Sequence, residues 1–245
     1  MEASTNNVAG HRAKYELLNA SLPKEEVGSM FVGGGDAILT GYNELELIRK
    51  FKSLRGASVI DIGCGIGRLT RYLIGENLSG YLGVDIIPEI LQEAEKLASG
   101  QPLFKFGIVE NCKLPSTDES ADVVCGFSLI THLLDEEIFE YFLETRRVLR
   151  SGGVAVFSFI DFENDKHLLS FVAHARHHRH GHGDLLKYTT KSILQRLARC
   201  AGFSSTSFIE EGRAVVGASA RGNLIDGRDA PREVALGQSV CAMFI

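Results

Sequence analysis

The stretch that decides the fold reads Asp61-Ile62-Gly63-Cys64-Gly65-Ile66-Gly67. It continues the apolar run Ser58–Ile62, which has the length and composition of a buried strand, and a helical segment follows at 69–74. Glycines permit positive φ angles and let a ligand approach the backbone closely. In open α/β sheets, ligands bind beyond the carboxyl ends of the strands. The stretch therefore predicts a ligand-binding turn after the first strand of such a sheet.

Strand and helix patterns alternate along the rest of the chain. Apolar strand patterns follow at 80–86, 104–109, 121–128, 154–160, 203–209 and 239–245, and helical stripes lie at 43–54, 89–98, 135–149 and 189–201. The glycine-containing segment 151–153 is predicted to end a helix, and 212–237 is predicted to be a loop. Repeated βα units with apolar strands predict a seven-stranded, mostly parallel, doubly wound α/β sheet in three αβα layers.

The length of 245 residues suits one α/β domain with some covering structure. We expect an N-terminal helical cap at 1–54, with a glycine-rich loop at 31–36, and a main domain at 55–245. The segment 161–188 interrupts the strand–helix alternation, and we interpret it as a lid inserted over the carboxyl edge of the sheet.

Composition excludes several functional classes. A formal net charge of −5 gives no general attraction to nucleic acid or anionic membranes, and no apolar run reaches the roughly 18 residues that a membrane span needs. Five widely spaced cysteines without a C-x-x-C pair predict reduced thiols, a cytoplasmic protein and no metal site. The oligomeric state is left open.

The spacing of the glycines separates two kinds of cofactor. A dinucleotide site of the form G-x-G-x-x-G would place its third glycine at position 68, where this chain has Arg68. The observed D-x-G-x-G-x-G resembles motif I of the class I S-adenosylmethionine-dependent methyltransferases. That cofactor has no phosphate but carries an ammonium group, for which Asp61 can supply a carboxylate. A nicotinamide-dependent oxidoreductase is the alternative from another enzyme class.

The resemblance covers about residues 55–160 and implies further site residues. Asp85, at the end of the second strand, would accept hydrogen bonds from the ribose hydroxyls, and Glu110 or Asn111 would contact the adenine. The resemblance also implies that the last strand, 239–245, is antiparallel. The implied cofactor-binding set is Asp61, Gly63, Cys64, Gly65, Gly67, Asp85, Ile86, Glu110, Asn111 and Phe127.

Four segments, at 31–36, 63–68, 81–85 and 131–133, are similar to bacterial methyltransferases of glycan and secondary-metabolite clusters. This similarity implies methyl transfer to a hydroxyl or amine of a small molecule or glycan. Two alternatives remain, an RNA- or protein-directed enzyme and a catalytically silent binding module. A nucleic-acid acceptor is disfavoured because the segment 125–128 has no proline of the N/D-P-P-Y/F type.

His132 is the candidate catalytic residue. It follows the fourth predicted strand, in a loop that should face the transferred methyl group. An imidazole accepts a proton near neutral pH, so it can act as general base for a hydroxyl or amine acceptor. A structural histidine that bonds a neighbouring loop is the alternative interpretation.

Histidines also crowd the segment 167–182. They are His167, His174, His177, His178, His180 and His182, and Leu168, Leu169, Phe171, Val172 and Ala175 form an apolar stripe in the same segment. The stripe predicts a helix. The histidines are interpreted as a solvated helix end, with an anionic-substrate patch or a metal site as alternatives.

Overall fold

The computed structural model describes residues 36–178, 186–216 and 222–245. The predicted glycine-rich loop up to residue 35, with the rest of the predicted cap before it, lies outside the described residues. His180 and His182 of the histidine-rich segment also lie outside them.

Strands and helices alternate as the apolar patterns predict. The strands are β1 (Ser58–Ile62), β2 (Gly80–Asp85), β3 (Phe104–Ile108), β4 (Ala121–Gly126), β5 (Leu149–Asp161), β6 (Tyr188–Thr189), β7 (Ser205–Ile209), β8 (Val215–Val216), β9 (Glu233–Val234) and β10 (Ser239–Phe244). The helices are α1 (Ala37–Phe51), α2 (Thr70–Leu73), α3 (Pro88–Leu97), α4 (Asp135–Val148), α5 (Asp165–His178) and α6 (Lys191–Cys200), with a 3₁₀ turn at Ile130–His132.

Seven strands form the main path of the sheet in the order β3-β2-β1-β4-β5-β10-β7. β10 is antiparallel to both of its neighbours, and the other pairs along the path are parallel. This confirms the doubly wound, mostly parallel α/β fold with an antiparallel last strand. The order places the carboxyl ends of β1, β2 and β4 side by side, where a ligand site is expected.

The sheet separates two hydrophobic cores. Along β5, Val154 and Val156 face one core, which α1 and α2 cover, while Ala155 and Phe157 face the other, which α4 and α6 cover. Successive residues of a strand point to opposite faces, so a strand with both faces covered is apolar throughout. The predicted three-layer arrangement is thereby confirmed.

Two short pairings were not predicted. β6 extends the sheet by pairing in parallel with the end of β5, where Ile160 lies opposite Tyr188. β8 and β9 pair with each other inside 212–237, so the segment predicted to be a loop contains a short two-stranded pairing. Strands of two residues are too short to show a period in the sequence.

Two boundaries differ from the prediction because of capping and a bulge. α1 begins at Ala37 rather than at 43, because the Asp36 side chain accepts from the amides of Ile38 and Leu39. β5 begins at Leu149 and includes 151–153, which was predicted as a helix-ending turn. The register of β4 against β5 shifts at this point, and Gly152 has a φ of +72°, as at a glycine bulge.

None of the helices in the described ranges is both long and apolar enough to cross a membrane. Within the same ranges, no group of three or more His, Cys, Asp or Glu side chains is arranged to hold a metal ion.

Candidate functional site

The turn after β1 is built on three left-handed glycines. Gly63, Gly65 and Gly67 have φ angles of +73°, +55° and +85°. A Cβ at position 67 would lie 2.9 Å from Leu97 Cδ1 and 3.3 Å from the Ala94 Cα, so the left-handed conformation favours glycine there and the space for a side chain is tight. The glycine spacing thus produces a left-handed turn in which Gly67 packs closely against α3.

Asp85 ties this turn to the end of β2. Its Oδ2 accepts from the amide of Gly65 at 3.0 Å, and its Oδ1 accepts from the amides of Ile86 at 2.7 Å and Ile87 at 3.1 Å. Burial raises the pKa of Asp85, while the three amides favour its ionised form. The half-buried carboxylate of Asp85 therefore joins the turn after β1 to the end of β2.

Asp61 lies beneath the turn and is only 4 % exposed. Tyr81 Oη donates to its Oδ2 at 3.1 Å, and the Cys125 thiol lies 3.7 Å from its Oδ1. Tyr81 is itself bonded to Thr70 at 2.8 Å. Burial, reinforced by the negative charge of Glu44, raises the pKa of Asp61 to about 7. Tyr81 and Cys125 thus already occupy part of the hydrogen-bonding capacity of the Asp61 carboxyl.

Glu44 and Arg68 form a buried ion pair that sequence reasoning missed. Arg68 donates to the Glu44 carboxylate at 2.5 Å and 3.2 Å, and the Glu44 side chain is 2 % exposed. Burial raises the pKa of Glu44, and Arg68 opposes that shift. A Cβ on Gly41 would lie 2.3 Å from the Arg68 carbonyl oxygen, so α1 approaches the turn at a glycine. Arg68, which stands where a dinucleotide-binding motif has its third glycine, therefore anchors α1 to the glycine turn.

The predicted adenine segment forms a tight turn after β3. Lys113 N donates to Glu110 O at 3.0 Å, and the two residues between them, Asn111 and Cys112, have φ angles of +51° and +57°. This is the pattern of a type I′ turn. The side chains of Glu110 and Asn111 are exposed, and Cys112 is half-buried. Glu110 and Asn111 are therefore open to a ligand at this edge.

The turn after β4 lies against the glycine turn. Phe127 is buried at its start, and the next residue, Ser128, has a φ of +59°. Leu129 Cδ1 lies 3.4 Å from the position that a Cβ on Gly63 would take. Cys64, in the glycine turn, is also buried. The structure thus brings the β1 and β4 turns together, as the strand order requires.

His132 ends the 3₁₀ turn that follows and is half-buried. Its neighbour Thr131 accepts at its carbonyl from Lys187 N at 2.7 Å, and Lys187 Nζ lies 2.6 Å from Asp135 Oδ2. Asp135, three residues after His132, is therefore engaged with Lys187. The chain before β6 fixes the loop that carries His132.

The histidine-rich segment begins with a buried structural histidine. His167, in α5, is 6 % exposed; its Nδ1 accepts from Asp161 N at 2.9 Å and its Nε2 lies 3.2 Å from Gly237 O. Since Nδ1 accepts, the proton is on Nε2 and donates to that carbonyl. The interpretation of the whole cluster as a solvated helix end is therefore wrong for its first member.

The apolar stripe of α5 does form part of a helix, but three of its members face outward. Leu168, Leu169 and Val172 are 40 %, 71 % and 39 % exposed. On another side of the helix, Phe171 packs edge-on against Phe162 and Tyr188, with ring centroids 4.9 Å and 5.2 Å away. α5 thus contributes an aromatic cluster at the carboxyl end of β5.

Comparison with known proteins finds a family model and relatives to which part of this chain is similar. Residues 60–157 match the family model described as a methyltransferase domain. The 2-methyl-6-phytyl-1,4-hydroquinone methyltransferase of Synechocystis is 32 % identical over 101 residues, which are 41 % of this chain and 31 % of that protein. Phosphoethanolamine N-methyltransferase 1 of Caenorhabditis elegans is 26 % identical over 131 residues, 54 % of this chain and 27 % of that protein. The chain spans about a third or less of these curated relatives.

Solved structures share the fold at low identity. The Haemonchus contortus phosphoethanolamine N-methyltransferase 1, in complex with phosphoethanolamine and S-adenosylhomocysteine, superposes with a TM-score of 0.63 at 16 % identity, over 99 % of this chain and 50 % of that one. A chain of the complex between the Haloferax volcanii Trm112 methyltransferase activator and a methyltransferase gives 0.60 at 16 % identity, over 97 % and 96 % of the two chains. The glycine turn, the carboxylate after β2, the strand order and the matched residues agree, and residues 60–157 of this chain are similar to a methyltransferase domain.

Proposed function

We propose that this chain transfers the methyl group of S-adenosylmethionine to a hydroxyl or amine of a small organic molecule or glycan. The contact between the Asp85 carboxylate and the Gly65 amide carries the proposal. It places a hydrogen-bond acceptor for hydroxyl groups directly beside a turn whose backbone a ligand can approach. When bound, the cofactor supplies a methyl group that its sulfonium has already activated.

The residues present fit this cofactor. Asp85 is half-buried and would accept from the ribose hydroxyls, with Ile86 beside it against the adenine. Gly63, Gly65 and Gly67 give the turn its left-handed backbone, beside which the amino-acid end of the cofactor would lie. Glu110 and Asn111 are exposed and would contact the polar edge of the adenine.

Three further residues would complete the cofactor site. Cys64 and Phe127 are buried apolar surfaces of the two turns. Asp61 would supply negative charge to the cofactor's ammonium group. A bound cation near Asp61 would favour its ionised form and so oppose the effect of burial on its pKa.

His132 would act as the general base. As the acceptor takes the methyl group and S-adenosylhomocysteine is left, the acceptor's hydroxyl or amine proton would pass to the imidazole. The contact between Lys187 N and Thr131 O supports this role, because it fixes the loop on which the imidazole stands. A fixed base lowers the entropic cost of reaching the reactive arrangement.

The acceptor would lie beside the aromatic cluster of Phe162, Phe171 and Tyr188. Such a surface suits a small organic molecule with apolar or cationic parts. The names of the two relatives give a hydroquinone and phosphoethanolamine as their acceptors, both small organic molecules.

Methyl transfer can be tested with methyl-labelled S-adenosylmethionine. The acceptors offered separately would be a prenylated hydroquinone, phosphoethanolamine, an alkaloid amine, a glycan mixture, total RNA and unfractionated protein. We expect label on a small molecule or glycan. Label on RNA or protein alone would favour the macromolecule-directed alternative, and cofactor binding without any transfer would favour the silent module.

A further inference from the structure

Ser128 adopts a backbone conformation that serine rarely takes. It has a φ of +59°, in the left-handed region that favours glycine. The next residue, Leu129, lies against Gly63 of the cofactor turn. The conformation of Ser128 therefore determines how the β4 turn meets the β1 turn, and some other interaction must hold it.

A closed ring of hydrogen bonds holds Ser128 in place. Its amide donates to Ser158 Oγ at 2.6 Å, Ser158 Oγ donates to Gln238 Oε1 at 2.6 Å, and Gln238 Nε2 donates to Ser128 Oγ at 3.3 Å. The Gln238 side-chain amide can both accept from Ser158 and donate to Ser128, which a carboxylate at this position could not do. The ring joins the turn after β4, the buried strand β5 and the residue just before β10.

The same loop before β10 is fastened to α5. His167 donates to the carbonyl of Gly237, the neighbour of Gln238, and accepts from Asp161 N at the end of β5. A contiguous set of hydrogen bonds thus runs from α5 through Gly237 and Gln238 to Ser128. Leu129, the residue after Ser128, then packs against the glycine turn.

We propose that Gln238 and Ser158 are positioning residues of the cofactor site, which hold Ser128 left-handed so that the β4 turn packs against the glycine turn. The inference rests on the proposed function, because the ligand whose site they shape is S-adenosylmethionine or its product. Neither residue touches that ligand in this account. Both act through Ser128 and Leu129.

A glycine substitution at position 128 distinguishes a positioning role of Gln238 from a merely structural one. Gln238→Ala in the full chain should weaken S-adenosylhomocysteine binding about tenfold, which is the penalty of an unsupported left-handed serine expressed as a binding ratio. Amide hydrogen exchange at 127–133 should become faster. Adding Ser128→Gly to Gln238→Ala should restore both, because glycine adopts this conformation without support.

The matched control is Gln195→Ala, which removes an exposed glutamine bonded to Thr206 and should change neither measurement. Gln238→Glu keeps the acceptor but not the donor, so it should behave like Gln238→Ala at a pH where the carboxyl is ionised. Unchanged binding and exchange in Gln238→Ala, or a loss that Ser128→Gly does not repair, would overturn the inference. A wild-type chain that does not bind S-adenosylhomocysteine would refute the proposed function, and the exchange comparison would still decide this inference.

Discussion

The carboxylate of Asp85 accepts a hydrogen bond of 3.0 Å from the amide of Gly65, across the carboxyl ends of two adjacent parallel strands. The contact fixes the glycine turn relative to β2 before any ligand arrives. A carboxylate that already faces the turn needs little rearrangement to accept hydroxyl groups there. Preorganisation of this kind reduces the cost of binding.

Asp85→Ala should weaken S-adenosylhomocysteine binding by at least about 100-fold. The variant removes two charge-assisted hydrogen bonds to the ribose, each worth roughly 1.5–3 kcal/mol. Asp229→Ala, at an exposed aspartate, is the control and should bind normally. Calorimetric titration measures both, and equal affinity in the two variants would remove Asp85 from the ribose role.

Gly67→Ala should reduce the free energy of unfolding more than Gly56→Ala. Both glycines are left-handed, at +85° and +72°, so each substitution incurs about 1–2 kcal/mol of backbone strain. A Cβ at position 56 meets nothing within 4 Å, whereas one at position 67 meets Leu97 and Ala94. We expect a further cost of about 1 kcal/mol at position 67. Urea denaturation gives both values, and equal losses would contradict the crowding argument.

Stability should fall between pH 5 and 7 because of Asp61. The pKa of this carboxyl rises from its ordinary value of 3.8 to about 7 on folding. Between these two pKa values the Asp61 carboxyl is protonated in the folded chain and ionised in the unfolded chain. The free energy of unfolding therefore decreases as the pH rises, until the folded carboxyl also ionises at about pH 7. Asp61→Asn stays neutral and can still accept from Tyr81.

The free energy of unfolding of the wild type, relative to Asp61→Asn, should therefore fall by an amount on the order of 2 kcal/mol between pH 5 and 7. Urea denaturation of both proteins across this range measures the difference. Parallel profiles would show that Asp61 is ionised throughout.

His132→Ala should lower the methyl-transfer rate by roughly 10²–10⁴-fold and leave cofactor affinity unchanged. His132→Gln should recover little, because an amide cannot take up the acceptor's proton. The pH dependence of the rate should lose one ionisation in both variants. Near-normal turnover with the original pH profile would make His132 structural and leave positioning as the source of catalysis.

The sequence predicted those elements of the fold that depend on residues close together in the chain. The strand at 58–62 was predicted with its observed bounds, because a short apolar run between turns can hardly be another element. The position of Asp85 at the end of the second strand was also predicted, and the structure sets that strand beside β1. Pairings of two residues, such as β8 with β9, leave no periodic signal.

The polar supports of the site could not be predicted, because they join residues far apart in the chain. Glu44 meets Arg68 across 24 positions, and Gln238 meets Ser128 across 110. The one local hint was an acidic residue within the apolar stripe of α1. His167 looked like one of six similar histidines, and its burial between Asp161 and Gly237 is a tertiary contact that no local pattern signals.

The central claim is that the glycine turn and Asp85 form a site for S-adenosylmethionine, and calorimetric titration of the full chain tests it most directly. The account predicts that S-adenosylhomocysteine binds one molecule per chain, that NAD produces no binding heat under the same conditions, and that Gly65→Val abolishes the first result. Binding of NAD in preference to S-adenosylhomocysteine, or S-adenosylhomocysteine binding that survives Gly65→Val, would contradict it.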